Sequence, residues 1–313
     1  MCKLMIVLLI SGVLFGGYGR ADSVCYMQPV GWKIFSSETP VSNFTVQGNL
    51  LWYSNEEGVF SFDKRRNTLQ SYSDLGGISA SDVSSMTVDA AGRVWIGGPE
   101  GVAVRDGGFK VYNEQNGLPA SNVLSLVAQT SGPVWVGTED GLAQYNNGNW
   151  VIFKTEDGLA SNRIQALAVD SSGSVWAGTN RGISVYNGSN WTTYDMNNGL
   201  SWNDTRALAV DSREGTVWAA VGERDINCFN GENWRIFMQI EPDITSIMAD
   251  THSRIWFGTK NGLLRFNGQE WIDDSERFGF QVEQVSGMYR DSQGNLWYGI
   301  ESGVLKFDNP YPF

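Results

Sequence analysis

A tryptophan returns about every 41 residues along most of this chain, and few folds accommodate such a period. Trp52, Trp95, Trp135, Trp176, Trp218, Trp256 and Trp297 are separated by 43, 40, 41, 42, 38 and 41 residues. All but Trp256 follow a glycine- or asparagine-containing turn, and each sits in a short apolar run. A repeat of roughly 40 to 45 residues with a Trp in a strand is the pattern of a blade in a β-propeller.

The unit divides into four strands, here lettered A to D. In the best-formed copy, Ile164 to Val169 is apolar (A) and Asp170-Ser171-Ser172-Gly173 reads as a tight turn. Val175-Trp176-Ala177 follows (B), then Thr179-Asn180-Arg181-Gly182 as a second turn and Ile183 to Tyr186 (C). Asn187-Gly188, a strong hairpin signal, leads into Trp191 to Tyr194 (D). Asn-Gly pairs precede Trp150, Trp234 and Trp271 in the same way. Aromatics recur on B, C and D because both faces of each blade pack on neighbours. Small residues recur at one position of strand A (Ser85, Ser125, Ala166, Ala207, Ser246, Gly287), where blades converge at the axis and bulk would clash.

The last unit ends its strand C at Phe307 and runs into Asn309-Pro310-Tyr311-Pro312-Phe313, where two prolines preclude a paired outer strand. Trp32-Lys33-Ile34-Phe35 matches the strand D pattern of Trp150-Val151-Ile152-Phe153. The expectation is an all-β, seven-bladed propeller of four-stranded antiparallel blades, closed by an N-terminal strand that completes the last blade. Closure of this kind removes an exposed sheet edge.

Ahead of the repeats, Lys3 precedes an apolar run from Leu4 to Phe15, and Gly19-Arg20-Ala21 forms a small-x-small cleavage pattern. The run is too short to span a bilayer. Residues 1–21 are expected to be a signal peptide and residues 22–313 a single propeller domain. The product is expected in the periplasm or outside the cell, with no membrane insertion after cleavage. Among 313 residues there are 22 basic and 34 acidic ones, a net charge of −12, which disfavours a nucleic-acid partner. One His and three Cys leave little for a metal cluster or a disulfide framework, so no metal or other cofactor is expected. Cys25 and Cys228 have two readings, a bond in an oxidising compartment or a free thiol at Cys228.

The run Val-x-Ser-Leu/Met, Asp-x-x-Gly-x-x-Trp-x-Gly-Thr-x-x-Gly-Leu and Tyr/Phe, followed by Gly-Leu-x-Ser-Asn, resembles the two-component regulator propeller repeat. Ile164 to Tyr186 carries it with Asp170, Gly173, Trp176, Gly178, Thr179 and Gly182. Val285 to Phe307 carries it with Asp291, Gly294, Trp297 and Gly303. Gly117-Leu118-Pro119-Ala120-Ser121-Asn122 and Gly158-Leu159-Ala160-Ser161-Asn162 match the linker. The resemblance implies periplasmic ligand sensing. In that family the propellers are usually paired and followed by a membrane helix and a kinase. Those parts are not read in this sequence, so exported binding of a ligand or an envelope protein is the expectation.

Asp89, Asp170, Asp211, Asp250 and Asp291 read as turn-formers that bond local backbone. Strand order puts the D–A connections and B–C turns on one face and the A–B and C–D turns on the other. The first face carries the longer, more variable segments, which favours it for ligand binding. Trp202 stands outside the B and D positions, in a D–A connection, with Asn203 and Arg206 beside it. Asn162, Arg163 and Arg181 belong to the preceding unit, and Arg224 replaces the usual B–C turn of the fifth. A Trp platform with Arg and Asn donors suits a small molecule or oligosaccharide, particularly a sugar bearing a carboxylate. His252 falls in an A–B turn on the opposite face. A polysaccharide-lyase or streptogramin-lyase type of enzyme is the alternative reading, and an envelope assembly scaffold a third. A lyase needs a general base beside a charge-neutralising group, and no such pair stands out.

Overall fold

The computed structural model describes residues 32–37, 39–130, 132–241, 243–274, 284–291 and 293–307. Seven four-stranded antiparallel sheets follow one another around a ring. Blade 1 begins at Asn43–Gln47, and blades 2 to 7 begin at Ser85–Val88, Val123–Ala128, Ile164–Val169, Thr205–Val210, Ile244–Ala249 and Val285–Arg290. The fourth strand of blade 7 is Trp32–Ser36, which pairs antiparallel with Gly303–Phe307 in the register Trp32↔Phe307. That is the register of strand D in blade 3, where Tyr145 faces Trp150.

The Asp of the A–B turn works on two things at once. In blade 7, Asp291 Oδ1 accepts the backbone N–H groups of Gln293 and Asn295 at 3.0 and 2.9 Å. Its Oδ2 accepts the indole N–H of Trp297 at 2.9 Å. Asp89, Asp170 and Asp250 hold Trp95, Trp176 and Trp256 in the same way, at 2.8, 3.1 and 3.0 Å. The turn-former reading thus holds, and the carboxylate also satisfies a donor in the core. Oxygens already surrounded by N–H donors are poorly disposed to hold a cation. Two blades carry Gln instead. The side-chain amides of Gln47 and Gln129 donate to Gly92 O and Gly173 O in the turn of the following blade.

Blades adhere through shared aromatic rings. Between blades 2 and 3, Trp95 (B) and Tyr112 (D) meet Tyr145 (C) and Trp150 (D) of the next blade, with centroids 4.9 to 6.4 Å apart. The same four positions supply Trp135, Phe153, Tyr186 and Trp191 between blades 3 and 4. They supply Trp176, Tyr194, Phe229 and Trp234 between blades 4 and 5, and Trp218, Phe237, Phe266 and Trp271 between blades 5 and 6. Each well-placed ring pair adds about 0.5–1.5 kcal/mol beyond area burial.

Nearer the axis the Trp-x-Gly glycine faces the small strand A residue, as in Ser125↔Gly137 and Ala166↔Gly178. A Cβ on Gly178 would stand 2.6 Å from Thr205 of the next blade, so this position sets how closely blades approach. Ser286 Oγ donates to Val41 O at 2.5 Å and joins blade 7 to blade 1.

Candidate functional site

On the D–A/B–C face the linker glycines are positioned by the next blade. Gly158 has φ of +117°, and a Cβ there would lie 2.8 Å from Trp191. The leucine that follows is buried: Leu118, Leu159 and Leu200 each enter an inter-blade core. Two residues after the leucine the chain is buried at Ala120, half-buried at Ser161 and turned outward at Trp202.

Trp202 occupies that outward position in blade 5. The preceding Ser201 is clamped to strand C, its N–H donating to Asn227 Oδ1 at 2.9 Å and its Oγ accepting from Asn227 Nδ2 at 2.7 Å. The indole is 55% exposed, yet it lies close against the B–C turn: a Cβ on Gly222 would stand 2.8 Å from the ring. Gly222 N–H in turn donates to Asp204 O at 2.7 Å. One face of Trp202 is therefore supported and the ring is open to solvent.

Charges of both signs surround it. Arg206 Nε is 3.1 Å from Asp204 Oδ2, and Arg224 pairs with Glu241. The Lys260 ammonium, with Arg206 and Arg224 behind it, holds the Asp243 carboxyl below its ordinary range. Arg206 and Arg224 thus both act on Asp243, and Trp202 lies against Gly222, two residues before Arg224. Asn203 stands beside Trp202, but its Oδ1 accepts Met196 N–H at 2.9 Å. Asn162 is its counterpart one blade earlier: Oδ1 accepts Thr155 N–H and Nδ2 donates to Asp140, both at 2.9 Å. The two asparagines brace the single-turn 3-10 helices Met196–Asn198 and Thr155–Asp157. Arg163 and Arg181 lie exposed on that face, and among the described residues no hydrogen bond or ion pair joins their side chains to the Trp202 group.

The other face holds large concavities. A cavity of about 1010 Å³ opens on the axis, lined among others by Phe44, Gln47, Met86, Gln129, Met288 and Tyr289. Ser85 and Gly287 of the small-residue ring also line it. A groove of about 460 Å³ lies between blades 1 and 2, bordered by Trp52, Tyr72, Arg66, Arg93 and Arg105. Its equivalent between blades 2 and 3 measures about 200 Å³. Attention to the longer loops passes over Arg105. The signal for it is its register: it stands where Tyr145, Tyr186, Phe229 and Phe266 stand.

His252 is exposed in an A–B turn, with Nδ1 3.0 Å from Thr251 Oγ1. Burial pushes its pKa below the ordinary value, only partly opposed by Asp250. Cys228 is buried and carries a free thiol, which burial pushes up. Cys25 lies outside the described residues. No helix among the described residues is long and apolar enough to cross a membrane.

The family model described as "Two component regulator propeller" matches residues 158–181, and the blade repeat is of that type. No curated protein sequence matches the chain. Among solved structures it is similar to the extracellular domain of a hybrid two component system from B. thetaiotaomicron, with 19% identity and a TM-score of 0.72 over 90% of this chain. It is also similar to the extracellular domain of a one component system from B. thetaiotaomicron, with 18% identity and a TM-score of 0.73 over 88% of this chain. The chain spans 42% and 40% of those two domains. Virginiamycin B lyase from Staphylococcus aureus is similar at 14% identity and a TM-score of 0.69, over 88% of this chain and 98% of the lyase. At these identities the likeness is one of fold.

Proposed function

We propose that this chain is a non-catalytic, sensor-type propeller, exported through residues 1–21, that recognises a carbohydrate on its D–A/B–C face. The observation that carries the reading is Trp202, an exposed indole seated on Gly222, in a loop cluster that also carries Arg206 and Arg224. A supported flat ring offers a sugar an apolar stacking surface, while guanidinium donors and carboxylate acceptors around it match hydroxyl groups. The two arginines already pair with Asp204 and Glu241. A neutral, hydroxyl-rich ligand therefore fits this patch better than one bearing a carboxylate. The similarity to extracellular domains of regulatory systems supports a sensing role in general terms. The non-catalytic reading is supported by the place of His252, in an exposed A–B turn on the face opposite Trp202.

The test is a thermal-shift screen of neutral and acidic oligosaccharides against the full chain and Trp202→Ala. A sugar that raises Tm of the parent and not of the variant is the expected result. A sugar that stabilises both equally removes Trp202 from the site, and new unsaturated products in the mixture refute the non-catalytic reading.

A further inference from the structure

We propose that the groove between blades 1 and 2 is a binding site for a small hydroxyl-rich carboxylate of the sugar-acid class, with Arg105 as its carboxylate-binding group. The site is on the face opposite Trp202 and does not rest on that platform.

The argument begins with a departure from the repeat. Four neighbouring interfaces are filled by a strand C aromatic and a strand D Trp. At the blade 1–2 interface the strand C position is Arg105 and the strand D position is Phe109, paired in the register Arg105↔Phe109. The guanidinium takes the place of a ring. Its Cζ lies 5.5 Å from the Tyr72 centroid and 5.2 Å from that of Phe109. Trp52 and Tyr72 stack at 5.0 Å and form the wall behind it. A guanidinium is smaller than a phenol ring and leaves the interface unfilled. The groove of about 460 Å³ compares with about 200 Å³ where Tyr145 holds the position. The larger volume falls in the range of small-molecule pockets.

The electrostatics point to an anion. Arg105 is half-buried and donates through Nη1 to Gly107 O at 2.9 Å. Among the described residues no carboxylate lies within ion-pair distance of it. This contrasts with Arg206 and Arg224 on the other face, and with Arg93 in the same groove, whose Nε is 2.7 Å from Asp89 Oδ2. The remaining N–H groups of Arg105 are therefore available for the planar, two-bond geometry that guanidinium forms with carboxylate. Asp63 at the rim is turned inward to its own loop, accepting Arg65 and Arg66 N–H at 2.9 and 3.0 Å. Ser61, Thr68 and Gln70 also line it, together with Asp106, whose carboxylate is not within ion-pair distance of Arg105. Hydroxyl and amide groups beside an arginine that has no carboxylate partner among the described residues match a ligand with one carboxylate and several hydroxyls.

The experiment is calorimetric titration of the full chain with glucuronate, galacturonate and gluconate at millimolar concentration, with glucose and acetate as controls. At least one sugar acid is expected to bind, and in the Trp202→Ala background, which removes the other platform, neither control is. Arg105→Tyr restores the ring found in blades 3 to 6, so it should keep or raise Tm while weakening binding by about tenfold or more, the loss of a charge-assisted pair. Arg105→Gln should weaken binding similarly, and Trp202→Ala should leave it unchanged. The proposal is overturned if no sugar acid binds, if glucose binds Trp202→Ala as well as glucuronate does, or if both Arg105 variants bind as the parent does. Loss of binding in Trp202→Ala would also overturn it, since that assigns the ligand to the other face.

Discussion

Blade 3 has a fault that one substitution should repair. Trp135 is 1% exposed, and among the described residues its indole N–H has no hydrogen-bond partner. The other six strand B tryptophans all have one. Four use the turn Asp, Trp52 uses Gln47 Oε1 at 2.9 Å, and Trp218 uses Thr216 Oγ1 at 3.2 Å. In blade 3 the residue is Gln129, whose amide reaches to Gly173 instead. The backbone of the turn is already that of the Asp blades: Gln129 N–H meets Pro133 O at 3.1 Å, as Asp89 N–H meets Arg93 O at 3.0 Å. Gln129→Asp should therefore place a carboxylate oxygen on the indole without moving the chain. A buried donor left unsatisfied costs about 1–3 kcal/mol, and an exposed bond such as Gln129–Gly173 contributes about 0.5–1.5 kcal/mol. Pro133 has no N–H to offer the new carboxylate, so the gain belongs at the low end, about 1 kcal/mol net. At about 2.1 cal/mol/K of unfolding entropy per residue, that is about 1.5–2 °C in Tm. The assay is calorimetry alongside denaturant unfolding, with Gln129→Ala as the control that removes the Gly173 bond without supplying an acceptor. The order of stability should be Asp above Gln above Ala. If Gln129→Asp is no more stable than Gln129→Ala, the carboxylate staple is not what fixes these tryptophans.

Blade 6 holds a buried ion pair, Arg265 Nε to Asp274 Oδ2 at 2.5 Å, with the guanidinium 5.1 Å from the Trp256 ring. Asp274→Ala should cost about 3–5 kcal/mol by leaving the Arg265 charge buried without its carboxylate. The double change Asp274→Leu with Arg265→Met should recover most of that in urea unfolding, and equal losses in both would refute the account. Asp170 predicts the acid limb. Burial raises its pKa, but Ser172, Trp176 and the Ser174 and Ser172 backbone outweigh this and hold it below its ordinary value of 3.8. A depressed carboxyl stabilises the fold above its unfolded pKa and loses that contribution as pH falls through the folded value. Asp170→Asn should therefore flatten the decline in stability below about pH 4, and an unchanged acid limb in that variant would count against it.

The architecture was legible because it depends on residues that repeat. Short apolar runs between turn residues mark the strands, Trp at every 41 or so positions marks the blades, and Asp-x-x-Gly turns mark the A–B connections. These are local patterns, and each is enforced by backbone geometry. The site was only half legible. Trp202 and Arg224 stand out as exceptions to the repeat, and Gly222, two residues before Arg224, lies against the indole. That Asn162 and Asn203 brace their own loops depends on a contact seven residues back, seen only once the loop is folded. That Arg206 and Arg224 have carboxylate partners depends on Asp204 and Glu241 reaching them. Arg105 was visible as an arginine in an aromatic register, but its meaning lies in what the adjacent blade places opposite it.

The four-ring junctions divide the disc unequally. Blades 2 to 6 are joined by unbroken sets of aromatics, whereas the junction after blade 6 substitutes the Arg265–Asp274 pair and that before blade 2 substitutes Arg105. Amide protons in the five-blade arc should exchange with solvent together, at the cost of global unfolding. Those of blades 1 and 7 should escape earlier, through sub-global opening. The circle then behaves less like a uniform wheel than like a stiff horseshoe with a softer clasp, and the Arg105 groove lies at one end of that clasp.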